Sequence, residues 1–218
     1  MFIQGEQAIV HGRYDVVALR WGEGKDLRKD GKKEKAWHFR VPLGFEIQAV
    51  GQCGEVLVLS GRSSTLALSS RTGEIIWDSG EVGEYYAGPY FNEDQVFSVR
   101  KSPSEVSFRR LGTGRLLSRL SVPGLSTNRK HPVFAGESGE QTPAAAEAAE
   151  AYPVAYGEGT LVVVDGRTFH AVDVLKRELR WSRPADKLDP SVDAAYRMWI
   201  DSGRVFVLKP YYSVLENL

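Results

Sequence analysis

Residues 65–77 read TLALSSRTGEIIW, and residues 169–181 read FHAVDVLKRELRW. Both run as alternating apolar and polar positions, then a polar turn, a short apolar run and a Trp. Residues 106–118, VSFRRLGTGRLLS, keep the Thr-Gly turn and end in Ser118 where the Trp would stand. A unit that recurs in one chain is sought before any single motif, because a repeat decides the whole fold.

The unit widens when its flanks are read. The segments 8–19 (AIVHGRYDVVAL), 56–68 (VLVLSGRSSTLAL), 96–108 (VFSVRKSPSEVSF), 161–172 (LVVVDGRTFHAV) and 205–215 (VFVLKPYYSVL) each show a strand, a turn of small or polar residues and a second strand. That is the hairpin pattern. A further strand precedes most of them, at 45–50, 84–91, 151–156 and 193–200, and a Trp-bearing strand follows at 36–42, 74–80 and 178–184. The unit is four antiparallel strands, A to D, roughly 40 residues long, which is the size of a propeller blade. Period-two alternation excludes a helical solenoid of similar length.

The expected fold is all-β: four to five four-stranded antiparallel blades in an incomplete or open propeller, with residues 1–218 as a single domain. Two segments interrupt the period, at 21–35 and at 124–150, the second ending in an Ala-rich stretch after Pro143 that predicts a short helix. The first unit reads as starting at its strand B and the last as stopping in its third strand. The count is then 3 + 4 + 4 + 4 + 3 strands, short of a multiple of four. The arc is expected to be completed by blades from the same gene or from another chain.

Bulk properties remove several function classes. Hydrophobic residues make up 42% and aromatics 11%, which suits a packed chain rather than a disordered one. The 28 basic and 28 acidic side chains give no overall attraction to nucleic acid. The Lys/Arg-rich run 25–35 is offset by Asp26, Asp30 and Glu34 and lacks interleaved aromatics, so it reads as a solvated loop. Apolar runs such as 56–59 and 161–164 are far short of a membrane span. The N-terminal residues show no basic start followed by an apolar stretch, so no signal peptide is read. Cys53, the sole cysteine, allows neither an intrachain disulfide nor a cysteine-based zinc site.

The repeat resembles that of the pyrroloquinoline-quinone-type (PQQ-like, quinoprotein) β-propellers. The resemblance is carried by Ala67, Leu68, Thr72, Gly73 and Trp77, by Ala171, Val172, Asp173 and Trp181, by Thr113 and Gly114, and by Ala18, Leu19 and Trp37. It implies that Trp37, Trp77 and Trp181 dock between blades, where a large flat ring buries much apolar area and offers one N–H. It also implies, for a chain that is part of a longer member, a periplasmic or extracytoplasmic location. Quinone-binding members of the family use adjacent cysteines, an aromatic floor and calcium. This chain has one cysteine and no calcium-loop spacing, so no quinone, metal or other cofactor is assigned.

No catalytic constellation emerges. His11, His38, His131 and His170 are not at metal-ligand spacing, there is no Gly-x-Ser-x-Gly elbow, and Gly22-Glu23-Gly24-Lys25 lacks the first Gly and the Ser or Thr of a phosphate loop. The strands nearest a propeller's channel do carry polar and aromatic residues: Glu46, Gln48, Tyr85, Tyr86, Tyr152, Tyr156, Tyr196, Arg197 and Trp199. They are the expected ligand or partner contacts, with strand parity deciding which face the channel. The chain is therefore expected to be a non-enzymatic scaffold that binds a protein or small ligand at the propeller face or channel. The alternatives are a fragment of a quinone-dependent dehydrogenase and a propeller of the outer-membrane assembly type.

Overall fold

The structure is a computed structural model that describes residues 2–4, 7–20, 34–61, 64–80, 84–102, 104–122, 154–165, 168–184 and 197–208. Residues 21–33, the 124–150 interruption with its expected helix, and the last expected strand after residue 208 lie outside them. The chain forms two compact units, Met1–Ser121 and Val122–Leu218.

The first unit holds three sheets. The first contains β1 (Phe2–Gln4), β2 (Gln7–His11), β3 (Asp15–Arg20) and β4 (Glu34–Arg40). The second contains β5 (Ile47–Cys53), β6 (Val56–Gly61), β7 (Thr65–Ser69) and β8 (Ile75–Asp78). The third contains β9 (Glu84–Asn92), β10 (Gln95–Ser102), β11 (Glu105–Arg110) and β12 (Leu116–Ser121). The second unit holds β13 (Val154–Gly157), β14 (Thr160–Asp165), β15 (Thr168–Asp173) and β16 (Glu178–Pro184) in one sheet, and β17 (Arg197–Asp201) with β18 (Arg204–Leu208) as a hairpin. In every sheet the strands pair in chain order and antiparallel. The described residues are all-β, in four four-stranded blades and one hairpin.

Two strand assignments differ from the sequence reading. The first sheet does not begin at strand B: Phe2–Gln4 pairs with β2, with Phe2 opposite Ile9. Three residues are too few for alternation to be legible. The first interruption also ends earlier than residue 35, because Glu34 and Lys35 already pair with Arg20 and Leu19.

The burial pattern explains the unusual apolar runs. Leu57, Val58 and Leu59 are consecutive and all fully buried, as are Leu161, Val162 and Val163. A strand covered on both faces loses the alternation of a half-exposed one. Leu57, Leu59, Leu66 and Leu68 face the first sheet, in one cluster with Ile9, Val16, Ala18 and Trp37. Val58, Ala67 and Trp77 face the other way, in a cluster with Val96 and Leu111 of the third sheet.

Each of these junctions is fixed by one indole. Trp37 Nε1–H donates to the Ser70 carbonyl at 3.1 Å, and Trp77 Nε1–H donates to the Leu111 carbonyl at 2.6 Å. Both acceptors open the turn that links strands C and D of the next sheet. Three residues further on stands a glycine, Gly73 or Gly114, with φ of +74° and +67°. Its N–H closes the turn onto Ser69 or Arg110. A Cβ at Gly73 would lie 2.5 Å from the Trp37 ring, and one at Gly114 would lie 2.6 Å from the Trp77 ring. The glycine is thus required twice over, by a left-handed backbone and by the ring lying flat against it.

Gly114→Ala is expected to lower stability by about 2 kcal/mol or more, from the left-handed backbone together with overpacking. Gly112→Ala, two residues away with open space around it, should stay within about 0.5 kcal/mol of the parent. Urea unfolding of the two variants checks this. Trp77→Phe keeps a ring but strands the Leu111 carbonyl, and should cost about 1–3 kcal/mol in the same assay.

Candidate functional site

The first strands of the second and third sheets, β5 and β9, share an irregularity. Along β5, Ile47 pairs with Gly61 and Ala49 pairs with Ser60, so Gln48 is an extra residue with no partner on β6. Along β9, Tyr85 pairs with Arg100 and Ala87 pairs with Val99, so Tyr86 is extra in the same way. The second and third sheets can be aligned on their registers, matching Val58 with Phe97 through the pairs Val58–Ala67 and Phe97–Phe108. Gln48 and Tyr86 then occupy one equivalent position. A β-bulge bends the strand and re-aims the side chain at the extra residue, and bulges recur beside binding sites. Gln48 is exposed, between the buried Ile47 and the half-buried Ala49.

The other expected contacts separate. Glu46 precedes β5 and accepts a hydrogen bond from Arg13 Nε in an ion pair across the first and second sheets. That contact, reinforced by charge, raises the Arg13 pKa above its ordinary value. Ile47 N–H donates to the Arg13 carbonyl at 2.9 Å beside it, so Glu46 belongs to the junction between sheets. Tyr85 and Arg197 are placed by backbone pairing, opposite Arg100 and Leu208. Tyr156 is half-buried in β13, and burial raises its pKa. Tyr152 and Tyr196 lie outside the described residues. In the sequence they stand three residues before Ala155 and Trp199, as Gln48 stands three before Gly51, and those three residues pair alike with Val162, Phe206 and Val58. Trp181 is half-buried, with the Arg183 guanidinium 5.3 Å from its ring centroid.

Several polar residues that the sequence did not single out as sites are buried. Arg100 donates to Thr65 Oγ1 at 3.2 Å, and Arg109 donates to the Gly114 carbonyl at 2.6 Å. His170 Nδ1 lies 2.9 Å from Ser182 Oγ. Tyr90, stacked on Phe97, has its pKa pushed up to about 12 by burial. Asp173 is the most fully engaged. Its Oδ1 accepts the N–H groups of Leu175 and Lys176 at 3.0 Å each, and its Oδ2 accepts two bonds from Arg180 at 3.0 and 2.7 Å. The Lys176 N–H bond, with Arg180 and the Leu175 N–H, holds the carboxyl below the usual carboxylate range, against the opposing effect of burial. Asp173 is thus a clamp on its own turn. Its place as the last residue of strand C was the available signal, since Ser69 accepts the Thr72 N–H from the matching position. Among the described residues no group of three or more His, Cys, Asp or Glu is placed to hold a metal ion.

The fold is shared with solved structures. The chain is similar to BamB from Moraxella catarrhalis, at 14% identity and a TM-score of 0.50, over 84% of this chain and 49% of that one. It is similar to a europium-containing methanol dehydrogenase, at 12% identity and a TM-score of 0.57, over 94% and 45%. A third likeness is to Saccharomyces cerevisiae Sqt1, at 12% identity and a TM-score of 0.56, over 88% and 49%. The fold is a β-propeller repeat array. BamB and the methanol dehydrogenase agree with the PQQ-like character of the repeat. This chain spans about half the length of each of these structures. Neither a family model nor a curated protein matches the sequence. Among the described residues no helix is long and apolar enough to cross a membrane.

Asp173 supplies a pH prediction. A carboxyl whose folded pKa is depressed contributes stability above the unfolded value, about 3.9, and loses it as pH falls through the folded value. The stability gap between the parent and Asp173→Asn should be open at neutral pH and shrink below about pH 4. Urea midpoints across that range measure it, and a gap that widens on acidification would contradict the clamp.

Proposed function

We propose that this chain is a non-enzymatic PQQ-like propeller module that serves as a scaffold for a protein partner or small ligand, bound along the innermost strands. The supporting observation is the repeated bulge. Gln48 and Tyr86 are extra residues at one equivalent position of consecutive sheets, and Tyr152 and Tyr196 match that position in sequence. A tyrosine offers a flat apolar ring and one hydroxyl with little rotamer entropy to lose, which suits recognition. The frame itself engages Trp37, Trp77, Arg109 and Asp173 in turn contacts. Neighbours on the same fold include BamB and a europium-containing methanol dehydrogenase, so fold alone does not choose between roles. The exposed Gln48 favours a partner protein as the occupant.

A photo-crosslinking residue at Gln48 should capture a partner that one at Glu74, an exposed turn residue of the same sheet, does not. Tyr86→Ala should weaken that capture. Equal labelling from both positions would count against a site on the inner strands. The likeness to a methanol dehydrogenase sustains a second reading, part of a quinone-dependent enzyme. Titration with pyrroloquinoline quinone and calcium is expected to leave the thermal midpoint and the quinone spectrum unchanged. A shift in both would favour the enzyme reading.

A further inference from the structure

Among the described residues of the first unit, the first sheet is packed against another sheet on one face. Its Ile9, Val16 and Ala18 are fully buried against the second sheet. The opposite face carries Ile3, Ala8, Val10, Val17 and Leu19. Ile3 is 65% exposed and Val10 41% exposed, and the other three are half-buried. Register identifies what this face is. The pairs Ala8–Leu19 and Val10–Val17 flank Ile9–Ala18 just as Leu57–Leu68 and Leu59–Leu66 flank Val58–Ala67. Those four leucines are the face with which the second sheet receives the first, and they are at most 1% exposed. The open face is thus a receiving face, and the molecule shows what covers its equivalent: the opposite, aromatic-bearing side of another blade.

The chain also carries such a side uncovered. In the β17–β18 hairpin Trp199 pairs with Phe206, which matches the pair Ala155–Val162 in the preceding sheet and so lies on the side that Val58 and Trp77 mark in the second sheet. The two rings stack at 5.3 Å between centroids and 9° between planes, and are 47% and 37% exposed. Exposed apolar surface of this kind marks an interaction site.

We infer that the Ile3/Val10/Val17 face of one copy receives the Trp199–Phe206 face of a second copy, so that the chain self-associates head to tail. The two surfaces differ, so the contact is heterologous and either closes into a ring or runs on. The inference rests on the blade repeat and not on ligand binding at the bulges, so either reading can fail while the other stands.

Sedimentation equilibrium of the full chain at tens of micromolar should give at least twice the chain mass of 24.2 kDa. Val10→Asp and Phe206→Asp should each return it to the single-chain mass, with Ile3→Lys as a milder change on the receiving face. Circular dichroism matching the parent would show that each variant is folded. An equimolar mixture of Val10→Asp and Phe206→Asp should regain the dimer mass, because each supplies the face the other lacks. A parent that stays at the single-chain mass overturns the inference. So does an associating parent whose folded variants still associate, or whose two variants fail to complement.

Discussion

An indole lying flat on the turn of the next sheet holds the first unit together. Trp37 over Gly73 and Trp77 over Gly114 combine on the order of 200 Å² of buried ring surface each with a hydrogen bond from Nε1 to the carbonyl that opens the turn. The contact ties the strand D of one sheet to the C–D turn of the next and so fixes the spacing of the sheets. The double-faced burial of β6 follows from it.

The exceptions obey the same constraint. Arg177 stands at the glycine position of the fourth sheet, with φ of +57°, and its turn is held by the Asp173 clamp. The repeat ahead of it in the sequence carries Ser118 where a Trp would stand. A repeat with a side chain at this left-handed position lacks the ease that glycine gives it. It then needs another way to stabilise the left-handed residue, and two N–H groups on one carboxylate provide it.

The blade was legible because its signals are local. Alternation, Thr-Gly turns and the Trp all lie within one repeat, and the strand pairs fell where VLVL, LVVV and their partners stood. Phe2–Gln4 was not legible, because three residues carry no period. The candidate site was legible only as a set of strands. Parity is counted along a regular strand, and the bulges at Gln48 and Tyr86 break that count at the positions of interest. Glu46 shows a second limit, since its partner Arg13 is 33 residues away and belongs to another sheet. Asp173 was visible as a repeat residue, but its four acceptor contacts depend on turn geometry and on an Arg seven positions on.

The bulge is made by backbone register, and it holds Gln in one sheet and Tyr in the next. The identity of the side chain there is therefore uncoupled from the forces that fold the blade. Such a position is free to drift under selection for a new ligand while the frame stays intact. One array of repeats can thereby diversify in recognition faster than in architecture.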